Sequence, residues 1–152
     1  MSVTYKTGDI FTSTQPAFGQ GVNVFLDMNS GINAKFRQAF GVGLLYPYLE
    51  ACFYRKLKVG GMLPVYIDAD EKWVFNLAVQ KLPFSNPKFE WFEAALEASF
   101  KFAQEKELTG FAIPQIGAGA PDFRREGVKA RVDEIASKYP EVELEVWTPA
   151  GK

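Results

Sequence analysis

The chain contains no histidine and a single cysteine, Cys52. The first absence excludes Ser–His–Asp and Cys–His nucleophile pairs, together with zinc sites built on imidazole. The second excludes an internal disulfide and four-thiolate metal centres. Acid–base chemistry is left to Asp, Glu, Lys, Tyr or a held water. No apolar run approaches the ~20 residues of a membrane span, and the opening residues lack the pattern of a signal peptide. The expectation is a cytoplasmic protein that engages no membrane. Charge of one sign is also missing: 17 Lys+Arg stand against 18 Asp+Glu, which argues against a broad nucleic-acid-binding surface. No metal site and no cofactor is expected.

What is present is an ordinary globular composition, 47% hydrophobic over 152 residues. A domain of that size buries roughly 70% of its unfolded-chain surface, so residues 1–152 are read as one domain, expected to be a monomer. Val3–Thr7 predicts a short strand, and Gly21–Leu26, apolar and β-branched, a buried one. Ser30-Gly31 opens a helix to about Ala39 with Ser30 at its N-cap, and Tyr46-Pro47 starts another. Met62–Asp68 and Trp73–Gln80 predict a hairpin. Asn86-Pro87 predicts a capped helix start, followed by Phe89, Phe92, Leu96, Phe100 and Ala103 on one face. Gly110–Pro114 reads as a strand, and Asp122 as the cap of a helix that buries Val128, Val132, Ile135 and Tyr139. Val142–Trp147 alternates, which puts Glu143 and Glu145 on a solvated face.

This order predicts an α/β domain in three layers, with helices on both faces of a mixed, mostly parallel sheet of about six strands. The first strand and the hairpin are expected to supply the antiparallel pairings. Ligands of open α/β sheets bind beyond the strand carboxyl ends, here after Leu26, Gln80, Pro114 and Trp147. Two of those exits are glycine-bearing turns into helices: Asp27–Gly31 and Pro114–Pro121. Both offer backbone amides at a helix start, where anions are favoured. Either loop alone is equally explained as a tight strand-to-helix connection. Neither is a P-loop or a GxGxxG fingerprint.

Four segments together resemble the macro domain, the ADP-ribose-binding fold, over essentially the whole chain. They are Thr7-Gly8-Asp9-Ile10; Gly21-Val22-Asn23-Val24-Phe25 through Met28-Asn29-Ser30-Gly31-Ile32; Ile113-Pro114-Gln115-Ile116-Gly117-Ala118-Gly119; and Val146-Trp147-Thr148-Pro149. The spacing from Met28 onward resembles the branch containing ADP-ribose-1″-phosphate phosphatases and ADP-ribosyl-glutamate or ADP-ribosyl-DNA hydrolases. The resemblance implies that Asp9 and the Ile10 amide take the adenine and Trp147 covers its face. It implies that Gln115, Ile116, Gly117, Ala118, Gly119 and Ala120 on one side, and Met28, Asn29, Ser30, Gly31 and Ile32 on the other, clasp the diphosphate and proximal ribose. Asn23 and Phe123 are implied at the distal ribose. For each side chain a plain structural role competes: a turn for Asp9, core packing for Trp147 and Phe123, a satisfied buried amide for Asn23.

The chain departs from its relatives at the catalytic positions. Gln20 stands where phosphatase-like relatives tend to have His, and Gln80 where hydrolase relatives use Lys. Lys81 is one residue on and therefore faces the other side of the strand. Asp122 is close to a family Asp position and, with Asn23, is the candidate catalytic pair; it is equally a helix cap. Asn29 replaces a Gly common in the first loop. The function implied is binding of ADP-ribose or an ADP-ribosylated partner. The alternative is a hydrolase that removes the 1″-phosphate, or an ADP-ribosyl group from protein or nucleic acid.

Overall fold

The computed structural model describes residues 3–124 and 126–150. Six strands alternate with four helices: β1 (Val3–Thr7), β2 (Ala17–Asn23), α1 (Gly31–Phe40), α2 (Val42–Phe53), β3 (Met62–Ile67), β4 (Lys72–Gln80), α3 (Phe89–Glu105), β5 (Gly110–Pro114), α4 (Val128–Ser137) and β6 (Glu143–Thr148). Single 3₁₀ turns occupy Ile10–Thr12 and Pro121–Phe123. The strands form one sheet in the order β1-β6-β5-β2-β4-β3. The expected three-layer mixed sheet is therefore what the chain adopts.

Alternation along the strands divides the core in two. Phe75 and Leu77 of β4 join Phe92, Leu96, Phe100, Phe111 and Ile135 beneath α3 and α4. Val74 and Ala78 of the same strand join Phe18, Val22, Phe36, Leu44 and Tyr48 beneath α1 and α2. No helix among the described residues is long and apolar enough to cross a membrane.

Several expectations are corrected. β1 pairs with β6 in parallel, Val3 opposite Leu144 through Thr7 opposite Thr148, so the only antiparallel pair among the described strands is β3 with β4. The reason is that the 3₁₀ turn and residues 13–16 carry the chain back to the opposite edge before β2 begins. β2 starts at Ala17 and ends at Asn23, not Gly21 to Leu26. Its glycines weaken strand propensity, but a Cβ at Gly21 would lie 2.9 Å from Ile116 Cγ2, so close packing selects glycine there. α2 begins at Val42, and Pro47 lies inside it. The carbonyl that Pro47 cannot pair is that of Gly43, which is exposed to solvent.

Two helix starts also differ. α3 begins at Phe89, with Lys88 rather than Asn86 at the cap position. Its first amide is capped from a distance: Phe89 N donates to Asp122 Oδ2 at 2.6 Å. Asp122 is thus a cap, but of α3 rather than of the helix that follows it, because α4 does not start until Val128, after Gly127 at φ +90°. Finally, Glu145 is buried, not solvated. Residues 13–15 cover that face of β6 and supply polar partners to the carboxylate.

Candidate functional site

The carboxyl ends of β1 and β6 open onto a cleft of about 740 Å³ lined by Gly8, Asp9, Ile10, Phe11, Ile32, Lys35, Gln38, Ala39, Pro114, Trp147, Pro149 and Ala150. Gly8, at φ +137°, turns the chain out of β1, and its amide donates to Thr148 O at 2.8 Å. Asp9 then caps the 3₁₀ turn: its Oδ1 accepts from Phe11 N at 3.0 Å. A carboxylate has about four acceptor sites, so the exposed Asp9 retains capacity for a donor in the cleft. Ile10 anchors the turn by its buried side chain.

Trp147 lines the same cleft, and its orientation is fixed by Glu145. The indole Nε1 donates to Glu145 Oε1 at 2.9 Å, Ser13 Oγ donates to the same oxygen at 2.7 Å, and Gln15 Nε2 donates to Oε2 at 3.1 Å. Lys6 Nζ stands 3.6 Å from Oε2 and 5.7 Å from the Trp147 ring centroid. Burial alone would raise the Glu145 carboxyl, but donation from Ser13, Trp147 and Gln15 with the Lys6 charge outweighs it, and the group lies below the usual carboxylate range.

The loop after β5 supplies amides. Ala118 N donates to Gln115 O (3.3 Å) and Ala120 N to Gly117 O (2.9 Å), bonds that leave the Gly117 and Gly119 amides for other partners. Both glycines have positive φ, +76° and +88°. They differ in surroundings. A Cβ on Gly117 would meet the Phe123 ring at 2.6 Å, whereas one on Gly119 would meet nothing within 4 Å. Gly119 is therefore open to an approaching group. Phe123 packs edge-on against Phe89 (5.4 Å) and tilted against Phe92 (5.6 Å), a core contact that docks the loop on α3. Gln115, Ile116 and Phe123 line a second hollow of about 180 Å³, which shares Pro114 with the main cleft.

The loop after β2 is closed by Asn23. Its Nδ2 donates to Asp27 O at 2.8 Å, and its Oδ1 accepts from Phe25 N at 2.9 Å and from Tyr48 Oη at 3.0 Å. Met28 is buried in the core and its carbonyl accepts from Arg37 Nε at 3.2 Å. Asn29, Ser30 and Gly31 are exposed. Ser30 makes no side-chain cap bond, and the first bond into α1 is Ala34 N to Ser30 O. The Gly31, Ile32 and Asn33 amides thus lie in the unpaired first turn of a helix.

Of the residues expected from sequence, Asp9, Ile10, Ile32 and Trp147 share the main cleft. Asn23 and Met28 turn their side chains into the protein behind it. Phe11, Lys35, Gln38 and Ala39 were missed; the signal available was helical spacing, since Lys35 lies one turn beyond Ile32.

No protein-family model matches the chain. Among solved structures, the macrodomain of Mycobacterium tuberculosis DarG superposes with a TM-score of 0.86 at 22% identity, covering 95% of this chain and 96% of that one. The macrodomain of Thermus aquaticus DarG gives 0.84 at 23%, covering 98% of both chains. The fold is that of the macrodomains. A third structure, Thermosipho africanus DarTG in complex with ADP-ribose, gives 0.77 at 16% identity, covering 98% of this chain and 42% of that chain. By sequence, the chain is 24% identical over 152 residues to the DNA ADP-ribosyl glycohydrolase of Mycobacterium tuberculosis, and 26% identical over 148 residues to that of Thermus aquaticus. Those alignments cover 98% and 95% of this chain; it spans 43% and 41% of the relatives' lengths.

At the positions where the macrodomain resemblance implies catalytic side chains, both glutamines are structural. Gln20 is buried; its Nε2 donates to Asn76 Oδ1 at 2.9 Å and its Oε1 accepts from Asn33 Nδ2 at 2.7 Å. Gln80 ends β4 opposite Asn23 and donates to the carbonyls of Pro83 (3.3 Å) and Ser85.

Proposed function

We propose that the cleft binds ADP-ribose, free or attached to a larger molecule. The adenine lies between Asp9 with the Ile10 amide and the Trp147 ring. The diphosphate meets the Gly117 and Gly119 amides on one side and the first turn of α1, Ser30 to Ile32, on the other. The distal ribose lies toward the loop that Asn23 holds. The observation that carries this reading is the convergence of Asp9, Ile32 and Trp147 on one cleft, flanked by amides that their own loops do not use. Titration calorimetry tests it. The expected dissociation constant is micromolar, about 8 kcal/mol; no heat at millimolar ADP-ribose overturns the reading.

Binding without turnover is the form the side chains favour, because Gln80 is tied into its own loop and Asp122 holds the start of α3. The relatives favour a second form, release of ADP-ribose from DNA, since they are named DNA ADP-ribosyl glycohydrolases. Incubating the chain with ADP-ribosylated DNA, ADP-ribosylated protein and ADP-ribose-1″-phosphate separates the two: a reader leaves all three intact.

A further inference from the structure

One buried carboxylate stands behind two parts of the main cleft. Glu145 and Trp147 lie two residues apart on β6, so their side chains leave the same face of the sheet. Oε1 of Glu145 takes the Trp147 indole N–H at 2.9 Å and the Ser13 hydroxyl at 2.7 Å. Ser13 closes the 3₁₀ turn that Asp9 opens, and its amide donates to Ile10 O at 2.9 Å. The turn and the indole are therefore tied to a single oxygen. They are also close in space, since a Cβ on Gly8 would lie 3.5 Å from Cζ3 of the Trp147 ring.

The other oxygen is held as firmly. Gln15 Nε2 donates to Oε2 at 3.1 Å and to Glu143 Oε1 at 3.0 Å, with the Lys6 ammonium 3.6 Å from Oε2. Glu143 is engaged in turn by the Thr4 hydroxyl at 2.9 Å. Gln15 N donates to Ser13 Oγ at 3.2 Å, so residues 13 and 15 brace each other. Ser13, Gln15 and Glu145 are all buried. A buried carboxylate carries a desolvation cost that an apolar side chain of similar volume avoids. What the carboxylate adds at this place is position. Asp9 is exposed on a short turn, so the stance of its oxygens follows the turn, and the turn is moored through Ser13. Recognition by hydrogen bonds needs donors and acceptors held within about half an ångström.

We propose that Glu145 is a positioning residue for base selectivity: by mooring the Asp9 turn and the Trp147 ring to one oxygen, it fixes the slot that tells adenine from other bases. The proposal rests on the reading that the cleft takes ADP-ribose, and it names what sets the base preference. Calorimetry with ADP-ribose and with inosine diphosphate ribose tests it. In the second ligand a carbonyl oxygen replaces the adenine amino group, and a carboxylate has no proton to give it. Wild type should prefer ADP-ribose by about tenfold or more, the loss of a hydrogen bond to a charged group. Ser13 does not line the cleft. Ser13→Ala, which frees the turn from Oε1, should weaken ADP-ribose about fivefold and leave inosine diphosphate ribose within about twofold. Glu145→Gln, close in shape but neutral, should lower the preference in the same way. In that variant the Trp147 indole N–H resonance, identified by its absence from Trp147→Phe, should move upfield as its acceptor loses charge. A preference kept by both variants overturns the proposal. So does equal weakening of the two ligands, which is what a general loss of structure produces. If Glu145→Gln does not fold, Ser13→Ala decides alone. Wild type that binds ADP-ribose without preferring it removes Asp9 as the reader of the base, and the proposal with it. No binding of either ligand by the wild type instead removes the cleft reading.

Discussion

Replacing Asp122 separates its two candidate roles. The carboxylate accepts the Phe89 amide at 2.6 Å, at the start of a 17-residue helix whose apolar face fills one core. Phe89 itself is buried. Asp122→Ala removes that oxygen, and loss of a helix cap costs about 1–2 kcal/mol. For a domain of this length, that lowers Tm by about 2–8 °C. The same contact docks the loop containing Gly117 and Gly119 on α3, together with the Phe123 ring. The alanine variant should therefore bind ADP-ribose more weakly than wild type as well. Asp122→Asn keeps an acceptor oxygen of the same reach, and Asn caps about as well as Asp, so Tm and affinity should stay near wild type. Differential scanning fluorimetry and calorimetry on the three proteins check this. An unchanged Tm in Asp122→Ala, or an equal fall in Asp122→Asn, refutes the capping argument. Turnover by the wild type that disappears in Asp122→Asn, with Tm and affinity intact, assigns a base role, since an amide cannot take the proton.

Three further outcomes are expected. Asp9→Ala should weaken ADP-ribose by roughly 1.5–3 kcal/mol, the usual loss for a hydrogen bond to a charged group; unchanged affinity by calorimetry places the adenine elsewhere. Gly119→Glu should abolish binding, because the new carboxylate opposes the diphosphate and a side chain at φ +88° strains the loop backbone; the circular dichroism spectrum should stay intact, since that Cβ meets no protein atom and the strain is confined to the loop. Glu145 should make stability pH-dependent. Its folded carboxyl is held below the usual range, so its contribution is present above the unfolded pKa of about 4.3 and is lost as pH falls through the lower folded value. The Tm gap between wild type and Glu145→Gln should therefore shrink below about pH 4; a gap constant across pH 3–7 contradicts it.

Most of the element order was legible because hydrophobic periodicity is local. The turn that joins β3 to β4 and the 3.6-residue face of α3 needed no tertiary information. What escaped was set by distant chain. Asp122 reads as a cap, but the helix it serves begins 33 residues earlier in the sequence. Glu145 reads as a solvated position, yet Ser13 and Gln15, more than a hundred residues away, cover it. The direction of β1 depended on how residues 13–16 return across the sheet, which no local pattern states. In the site, Asp9 and Trp147 were found through the family motifs they sit in. Lys35 and Gln38 carry no such motif and join the cleft only through the placement of α1.

The pairing of β1 with β6 also orders events in time. The Thr4 hydroxyl donates to Glu143 across 139 positions of sequence, and all five residues of β1 take their partners from β6. On a ribosome, β1 waits for β6, made more than 130 residues later, before it has a neighbour, and contacts of such long separation are the slow ones in folding. Asp9 and the turn behind it are tethered to that strand. The Asp9 end of the cleft is therefore assembled late, while the β2–β4 centre and its helices, made of nearer contacts, can form first. A nascent chain released before residue 143 would hold much of the sheet and lack the Asp9–Trp147 end of the cleft.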